Sequence, residues 1–440
     1  MVRMMELALW MVLVIWVCMV WWTIYKTVGQ AGEAKRRKRG LKARSPENCP
    51  ACQTEQRLRG VNSRPTQEVR PWSEVKGTGG RQKQSNTEGH ACPNPACVYH
   101  GIREQQVHAL VLQEKRGKTG GIWRLRCQAC GKRFSERHDT VLARLKTPPE
   151  RIELVLTLLA EGVDISVVVR VFGHCEETIV RWLERAGDHA ALLHDLYFRD
   201  LAIDHLQLDE LYAKVRQSPD KHWLWAAIDP RTKIVPSVWF GKRTTADAHH
   251  FVHDMVGRLA ADCVPIFTTD GLRQYFWALT AHFGFWQLLP GHRKPTWFVH
   301  PDLLYGQLKK FRVYRKLKYV VTVGLCGTRQ VIRDRLQSLG YSGTINTSYI
   351  ERFNLTLRQM VAPLTRKTWS LAQSPEHLMR HVEWARAYYH FSRAHSSLTL
   401  GTEVPKAQRE RTPAMAAGLT GHRWRVLDLL STPLVADACA

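Results

Sequence analysis

Two cysteine pairs constrain this chain more tightly than any other feature of it. Cys92 and Cys97 have four residues between them, and Cys127 and Cys130 have two. Gaps of two to four residues let two thiolates reach one tetrahedral metal ion. The second pair lies in "WRLRCQACGKRF", where a strand runs into Cys-x-x-Cys and Gly131 permits the tight return behind it. The expected module is a zinc ribbon over 91–140, with one knuckle on each of two hairpins and structural Zn2+ held by Cys92, Cys97, Cys127 and Cys130. Four thiolates leave no open coordination position, so such an ion organises the fold rather than reacting. The competing reading is four buried free cysteines. Cys49 and Cys52, in "CPAC", are a weaker pair: half of another site with His90, His100 or His138, or an unliganded remnant.

Charge points to a polyanionic partner. The chain carries 64 Lys+Arg against 39 Asp+Glu, a net charge of +25. That balance favours nucleic acid or an anionic membrane surface. Around the knuckles Arg124, Arg126, Lys132, Arg133 and Arg137 give the expected ribbon a basic face suited to a nucleic-acid backbone. Hydrophobic content of 44% excludes wholesale disorder, and 440 residues allow two to four domains.

The amino-terminal 1–30 contain an uncharged run at 7–25, "LALWMVLVIWVCMVWWTIY", which is 19 residues long and near the minimum for a membrane span. "KRRKRG" follows at 35–40, so a span here would keep the bulk of the chain in the cytoplasm, anchored to the inner face of the membrane by 7–25. A cleaved signal peptide fits less well, because the positive charge follows the apolar run. A third reading places the true start further downstream. Residues 31–90 read as a basic flexible linker.

Residues 148–190 read as a helix-turn-helix module. "PPERIELVLTLLAEG" has prolines at its start, helical apolar spacing and Gly162 at its end. After it, Asp164 or Ser166 caps one short helix, Gly173 marks a turn, and 176–186 forms a second helix. Val167, Val168, Val171, Ile179, Val180 and Leu183 are the expected shared core, with Thr178, Arg181 and Arg185 on the outward, DNA-facing side. An ordinary helical hairpin is the alternative.

From 203 the pattern changes to an α/β order: three strands, a helix over "TADAHHFVHDMVGRLAA", then the buried strand "VPIFTTDG". Residues 284–345 show mixed character without a clear period, 347–395 read as largely helical, and 401–440 as a C-terminal tail. Three acids stand out. Asp209 and Glu210 interrupt an apolar strand, where burial is costly unless the charge is paired or holds a cation. Asp270 ends a buried strand, at the sheet edge that usually meets ligands. Glu351 lies on a helix and can converge with Asp209 and Asp270. Such carboxylates suit Mg2+ (or Mn2+) and two-ion phosphoryl transfer. Neighbouring residues face opposite sides of a strand, so Glu210 can replace Asp209 if the register shifts. Asp229, in "AAIDP", reads as a turn residue, with an acid supporting the metal ligands as the alternative.

These blocks resemble a known family. "LDELYAKV", "TTDG", "IERFNLTLRQ" and "LTRKTWSLAQSPEHL" look like the bacterial insertion-sequence-one transposases, of the DDE class with a ribonuclease H-like core. The resemblance covers about 91–398, including the ribbon and helix-turn-helix. It implies an α/β catalytic core over 203–400, with Asp209, Asp270 and Glu351 as the metal-binding triad. It implies Asn354, Arg358, Arg366 and Lys367 as DNA contacts near the active site, and Arg352, beside Glu351, is a further candidate for holding DNA. A looser likeness links "YYHFSRAHSSL" at 388–398 to the "YNxxRPHSSL" block of integrase-like transposases, with His390 and Ala394 in place of Asn and Pro. The 80 residues between Asp270 and Glu351 suggest an insertion within 284–345. The implied function is cleavage and strand transfer of an insertion sequence. Its partners are terminal inverted repeats and target DNA, with homo-oligomers assembled on that DNA. Two alternatives stand: a catalytically inactive, membrane-tethered zinc and helix-turn-helix regulator, and a membrane-associated zinc protein whose basic arm binds anionic lipid.

Overall fold

The computed structural model describes residues 69–434 apart from 76–86, 88, 104–105, 118–120, 217, 294, 315 and 406–408. The candidate membrane span 7–25, nearly all of the basic stretch and the Cys49–Cys52 pair lie outside the described residues. Among the described residues no helix is long and apolar enough to cross a membrane.

The first module is a three-stranded antiparallel sheet of β1 (Leu110–Arg116), β2 (Ile122–Cys127) and β3 (Arg133–Ser135), ordered β1-β2-β3. Its core is its own and is small: Tyr99, Leu110, Leu125 and Phe134 with Cys92, Cys97 and Cys127. A cluster of that size needs a staple to hold a fold.

Helices follow. In α1 (Pro149–Ala160) a proline occupies the first turn, where its missing N–H costs nothing, and Ile152, Val155, Leu156 and Leu159 are buried. α2 (Ile165–Phe172) starts where the Asp164 side chain accepts a hydrogen bond from the Ser166 N–H, and stops at Gly173, whose φ of 71° is left-handed. α3 runs from Glu176 to Tyr197, eleven residues beyond the expected end at 186. Gly187 looks like a stop in the sequence, but it is where α3 crosses α8 (Pro375–Ala387). A Cβ there would come within 2.3 Å of the Arg380 carbonyl oxygen. The expected shared core is also corrected. Val168, Ile179 and Leu183 are buried, but Val167 and Val171 are exposed, because the buried face of α2 is narrower than its run of valines.

The main sheet holds β4 (His205–Ala213), β5 (His222–Ile228), β6 (Val238–Gly241), β7 (Ile266–Thr269), β10 (Tyr305–Val313) and β11 (Lys316–Cys326), ordered β11-β10-β7-β4-β5-β6. β4 is parallel to β7, and β7 to β10. The β4–β5, β5–β6 and β10–β11 pairs are antiparallel. The fold is therefore mixed α/β around a mixed sheet. α4 (Thr245–Arg258) and α5 (Gln274–His282) cover one face, where Trp225 meets Phe251 and Tyr275. α7 (Ser348–Met360) covers the other.

The stretch 284–345 contains two hairpins and a helix. A small hairpin pairs β8 (Gly284–Gln287) with β9 (Thr296–Val299), the long β10–β11 hairpin follows, and α6 (Arg329–Ser338) packs Ile332 and Leu336 against Ile266 and Ile345. Residues 401–434 are not a tail. Ala414, Val426, Leu429 and Leu430 join the main core, and α9 (Val426–Ser431) leans on α1, with the Leu427 N–H donating to Glu153. The Val141 N–H donates to the Leu430 carbonyl and the Leu434 N–H to the Asp139 carbonyl, so this segment straps the exit from the cysteine module.

A buried polar network joins α3 to the sheet. His194 Nδ1 lies 2.7 Å from Glu383 Oε2 and its Nε2 lies 3.1 Å from His390 Nδ1. His390 Nε2 accepts the Val235 N–H, and Arg386 bonds Glu383 and the Pro236 carbonyl. Burial holds both histidines well below the usual imidazole range, so they sit neutral.

Candidate metal centres

The four cysteines converge. Two tight turns aim them: the Gly131 N–H closes back on the Cys127 carbonyl, and the His100 N–H on the Cys97 carbonyl. Cys92 Sγ lies 3.5 Å from Cys130 Sγ, and Cys97 Sγ lies 3.8 Å from Cys127 Sγ. All four sulfurs fall within 4.8 Å of one another, and all are free thiols. A tetrahedral zinc site with Zn–S near 2.3 Å has sulfurs about 3.8 Å apart, so the donor set fits. The close approach of Cys92 favours the Cys127 thiolate and lowers its pKa, and Cys127 in turn drives Cys92 above the ordinary thiol range. Of the basic residues around the knuckles, Lys132 and Arg133 are exposed and Arg124 leans on Glu114.

The second cluster lies at the carboxyl edge of the main sheet. β4 pairs with β7 only as far as Leu208 and Thr269, so Asp209 and Glu210 run past the end of β7 and meet Asp270 there. Carboxylate oxygens of Asp209, Glu210 and Asp270 lie within 4.8 Å of one another, a spacing that could hold a divalent cation. Asp209 faces α7 and Glu210 the opposite layer, yet both reach Asp270 at the strand end. The sequence offered Glu210 as a replacement for Asp209; the structure groups the two together.

Glu351 lies outside this group, one turn of α7 before Asn354. Its Oε1 accepts from Thr347 Oγ1 at 2.7 Å and pairs with Lys310. It is close enough for its charge to raise the pKa of Asp209. Asn354 is buried, donating from Nδ2 to Asp209 Oδ2 at 2.9 Å. Its own Oδ1 has no hydrogen-bond partner among the described residues.

Mutual repulsion and burial leave a mark on these acids. Burial first, then the Asp270 charge, push Asp209 up to about 6 and Glu210 up to about 7. Such a site favours a counter-charge. Arg243 provides one: it pairs with Glu210, lies 3.9 Å from Asp270 Oδ2 and stacks over the Trp223 ring. The Tyr275 hydroxyl donates to Glu210 Oε2 at 3.0 Å.

Sequence reasoning missed the residue that sets α7 in place. Gln207, fully buried on β4, accepts the Tyr349 and Ile350 N–H groups through Oε1 and donates from Nε2 to Asn346 Oδ1. A helix start needs partners for its first N–H groups, and here a strand supplies them. The available signal was a lone amide inside "HLQLDEL", two residues before Asp209 and so on its face. Arg243 and Lys310 carried no comparable mark.

Other expected site residues divide. Arg181 is exposed on α3, but Thr178 is half-buried beside Cys175, and Arg185 turns inward to donate to the Ala143 carbonyl. Arg185 therefore does not lie on the outward face. Arg352 is exposed, Arg358 donates to the Leu364 carbonyl, and Arg366 and Lys367 are exposed on the loop after α7. Asp229 is a turn residue, accepting from the Arg231 and Thr232 N–H groups. No protein-family model matches the chain, and no curated protein matches it either.

Proposed function

We propose that this chain is a DDE-class transposase with a ribonuclease H-like core, cutting and joining DNA at Asp209 and Asp270 of the acidic cluster together with Glu351 beside it. One observation carries the reading. An aspartate on β4, where that strand runs past the end of β7, and an aspartate just after β7 are faced by a glutamate-bearing helix, which Gln207 and the Asn354–Asp209 bond fix to the sheet. Asp209, Glu210 and Asp270 would hold divalent ions, with Glu351 in reach on α7. Bound there, such ions would lower the pKa of an attacking oxygen and stabilise the leaving one. Asn354 orients Asp209, and Arg243 balances the acids before substrate arrives. The attacking group is water in strand cleavage and a DNA 3′-hydroxyl in joining. The cysteine module and helices α2–α3 would bind the terminal repeats, with Lys132, Arg133 and Arg181 as exposed cations.

The Lys310–Glu351 pair favours a second reading, a catalytically inactive DNA-binding regulator in which a lysine neutralises the third acid. One assay separates them. The purified chain is incubated with repeat-bearing DNA and Mg2+ or Mn2+. Metal-dependent strand cleavage, abolished by Asp270→Asn, supports the enzyme. DNA retention without cleavage supports the regulator, and full cleavage by Asp270→Asn removes the acidic cluster from the chemistry.

A further inference from the structure

The β10–β11 hairpin, residues 305–326, leaves the sheet almost as soon as it forms. β10 pairs with β7 only over Tyr305–Gln307, and beyond Gln307 the hairpin continues as a two-stranded ribbon. A bare ribbon of this kind is marginal in water unless something covers it. Its surface is unusual in two ways. The sequence of 305–326 holds six Lys or Arg residues and no acid, and Lys316 and Lys318 are exposed. The ribbon also exposes aromatic and aliphatic side chains where a solvated edge would be polar: Phe311, Leu317, Tyr319 and Val320 among them. Phe311 and Tyr319 form a stacked cross-strand pair with ring centroids 4.7 Å apart. At the tip Tyr314 is 94% exposed and sits at φ 49°, a left-handed position that favours glycine or asparagine.

The base of the ribbon touches the acidic site. Lys310 pairs with Glu351, and the Lys309 stem passes Gly271, next to Asp270. Two occupants suit an exposed edge: another strand of protein or an extended polyanion. Pairing two copies through β11 would set Lys316 and Lys318 of one copy against cations of the other. Lysines on an edge strand are a device that prevents such pairing. Cations interleaved with exposed rings instead match single-stranded nucleic acid, whose bases stack on aromatic faces while its phosphates meet lysines.

We propose that the β10–β11 ribbon is the docking surface for a single strand of nucleic acid running to the acidic cluster, with Phe311, Tyr314 and Tyr319 as stacking platforms and Lys309, Lys316 and Lys318 as phosphate contacts. The proposal deepens the transposase reading and rests on it for the direction of the strand.

The test is fluorescence anisotropy of a labelled oligothymidylate with the full chain across a salt series, with no divalent cation added. Tyr314→Ala/Tyr319→Ala should weaken binding about tenfold or more while keeping the salt slope. Lys316→Ala/Lys318→Ala should lower that slope by about 1.4. Tyr314→Phe/Tyr319→Phe keeps the rings and should restore binding, which separates stacking from folding defects. Parental affinity and slope in both alanine variants would overturn the proposal. So would a parental dimer that the tyrosine changes convert to monomer without altering oligonucleotide binding. A chain that binds through the ribbon but never cleaves keeps this surface and loses the enzyme reading. A chain that cleaves while the alanine variants bind normally loses the surface alone.

Discussion

Gln207 decides whether α7 meets the sheet. Its carboxamide replaces water for two N–H groups at the start of the helix that carries Glu351 and Asn354. Gln207→Ala leaves those donors buried without a partner, at a cost of about 1–3 kcal/mol. Urea unfolding should show that loss as a lower midpoint at unchanged slope. His194 and His390 set a pH limit. Burial lowers both below 6.5, the usual histidine value, so on acidification the unfolded chain takes up protons before the folded one does. The stability that neutral histidines contribute is fully present above about pH 6.5 and is lost as pH falls below it. Facing them are Glu383 and Arg386, with Arg258 close enough to act on His194. Asp209 and Glu210 act in the opposite sense, since their raised pKa values let the folded state hold protons that the unfolded state releases. Urea midpoints at pH 7.5, 6.5 and 5.5 should therefore fall less steeply for His390→Asn than for the parent.

At the scale of elements, two glycines show that glycine alone does not mark a helix end. Gly162 combines a φ of 84° with a Cβ position only 1.9 Å from the Gln359 carbonyl oxygen, so it both ends α1 and admits the end of α7. Gly187 has ordinary helical backbone and is required only by the crossing with α8. Gly187→Ala should lower the melting temperature, because the clash with Arg380 outweighs the gain in helix propensity of about 1 kcal/mol. The cysteine module has a hydrophobic core separate from the main one. If the four thiolates hold zinc, a chelator, or replacing Cys127 with Ser, should melt β1–β3 first and leave the main sheet folded. Hydrogen exchange should show fast amides confined to 110–135. The sequence carried this module openly, because thiol spacing is a local property. It hid the β10–β11 ribbon, because Lys309–Lys310 and Val320–Val321 break the alternation that marks a strand with one buried face. The C-terminal segment was hidden for another reason: Val426, Leu429 and Leu430 look like a marginal helix until Val141, Asp139 and Glu153 meet them.

Across the whole molecule, one sheet brings distant residues to a single edge. Asp209 and Asp270 were legible as a pair, since each breaks or ends an apolar strand. Glu210 was legible only as a substitute, because strand alternation puts it on the far face. That both carboxylates meet Asp270 depends on β7 ending at Thr269, a length the sequence does not mark. Glu351 stands beside this group, engaged by Thr347 and Lys310. A catalytic role therefore requires Lys310 to yield it, which a bound cation or a nucleic-acid phosphate would favour. The most direct measurement is the single-turnover cleavage rate of labelled repeat DNA in Mg2+ for the parent, Asp209→Asn and Glu351→Gln. Both variants should lose about two to three orders of magnitude in rate, the scale of removing one electrostatic catalytic group, while still binding the DNA. A parental rate in Asp209→Asn would take the cluster out of the chemistry, and a parental rate in Glu351→Gln would leave α7 as a structural helix.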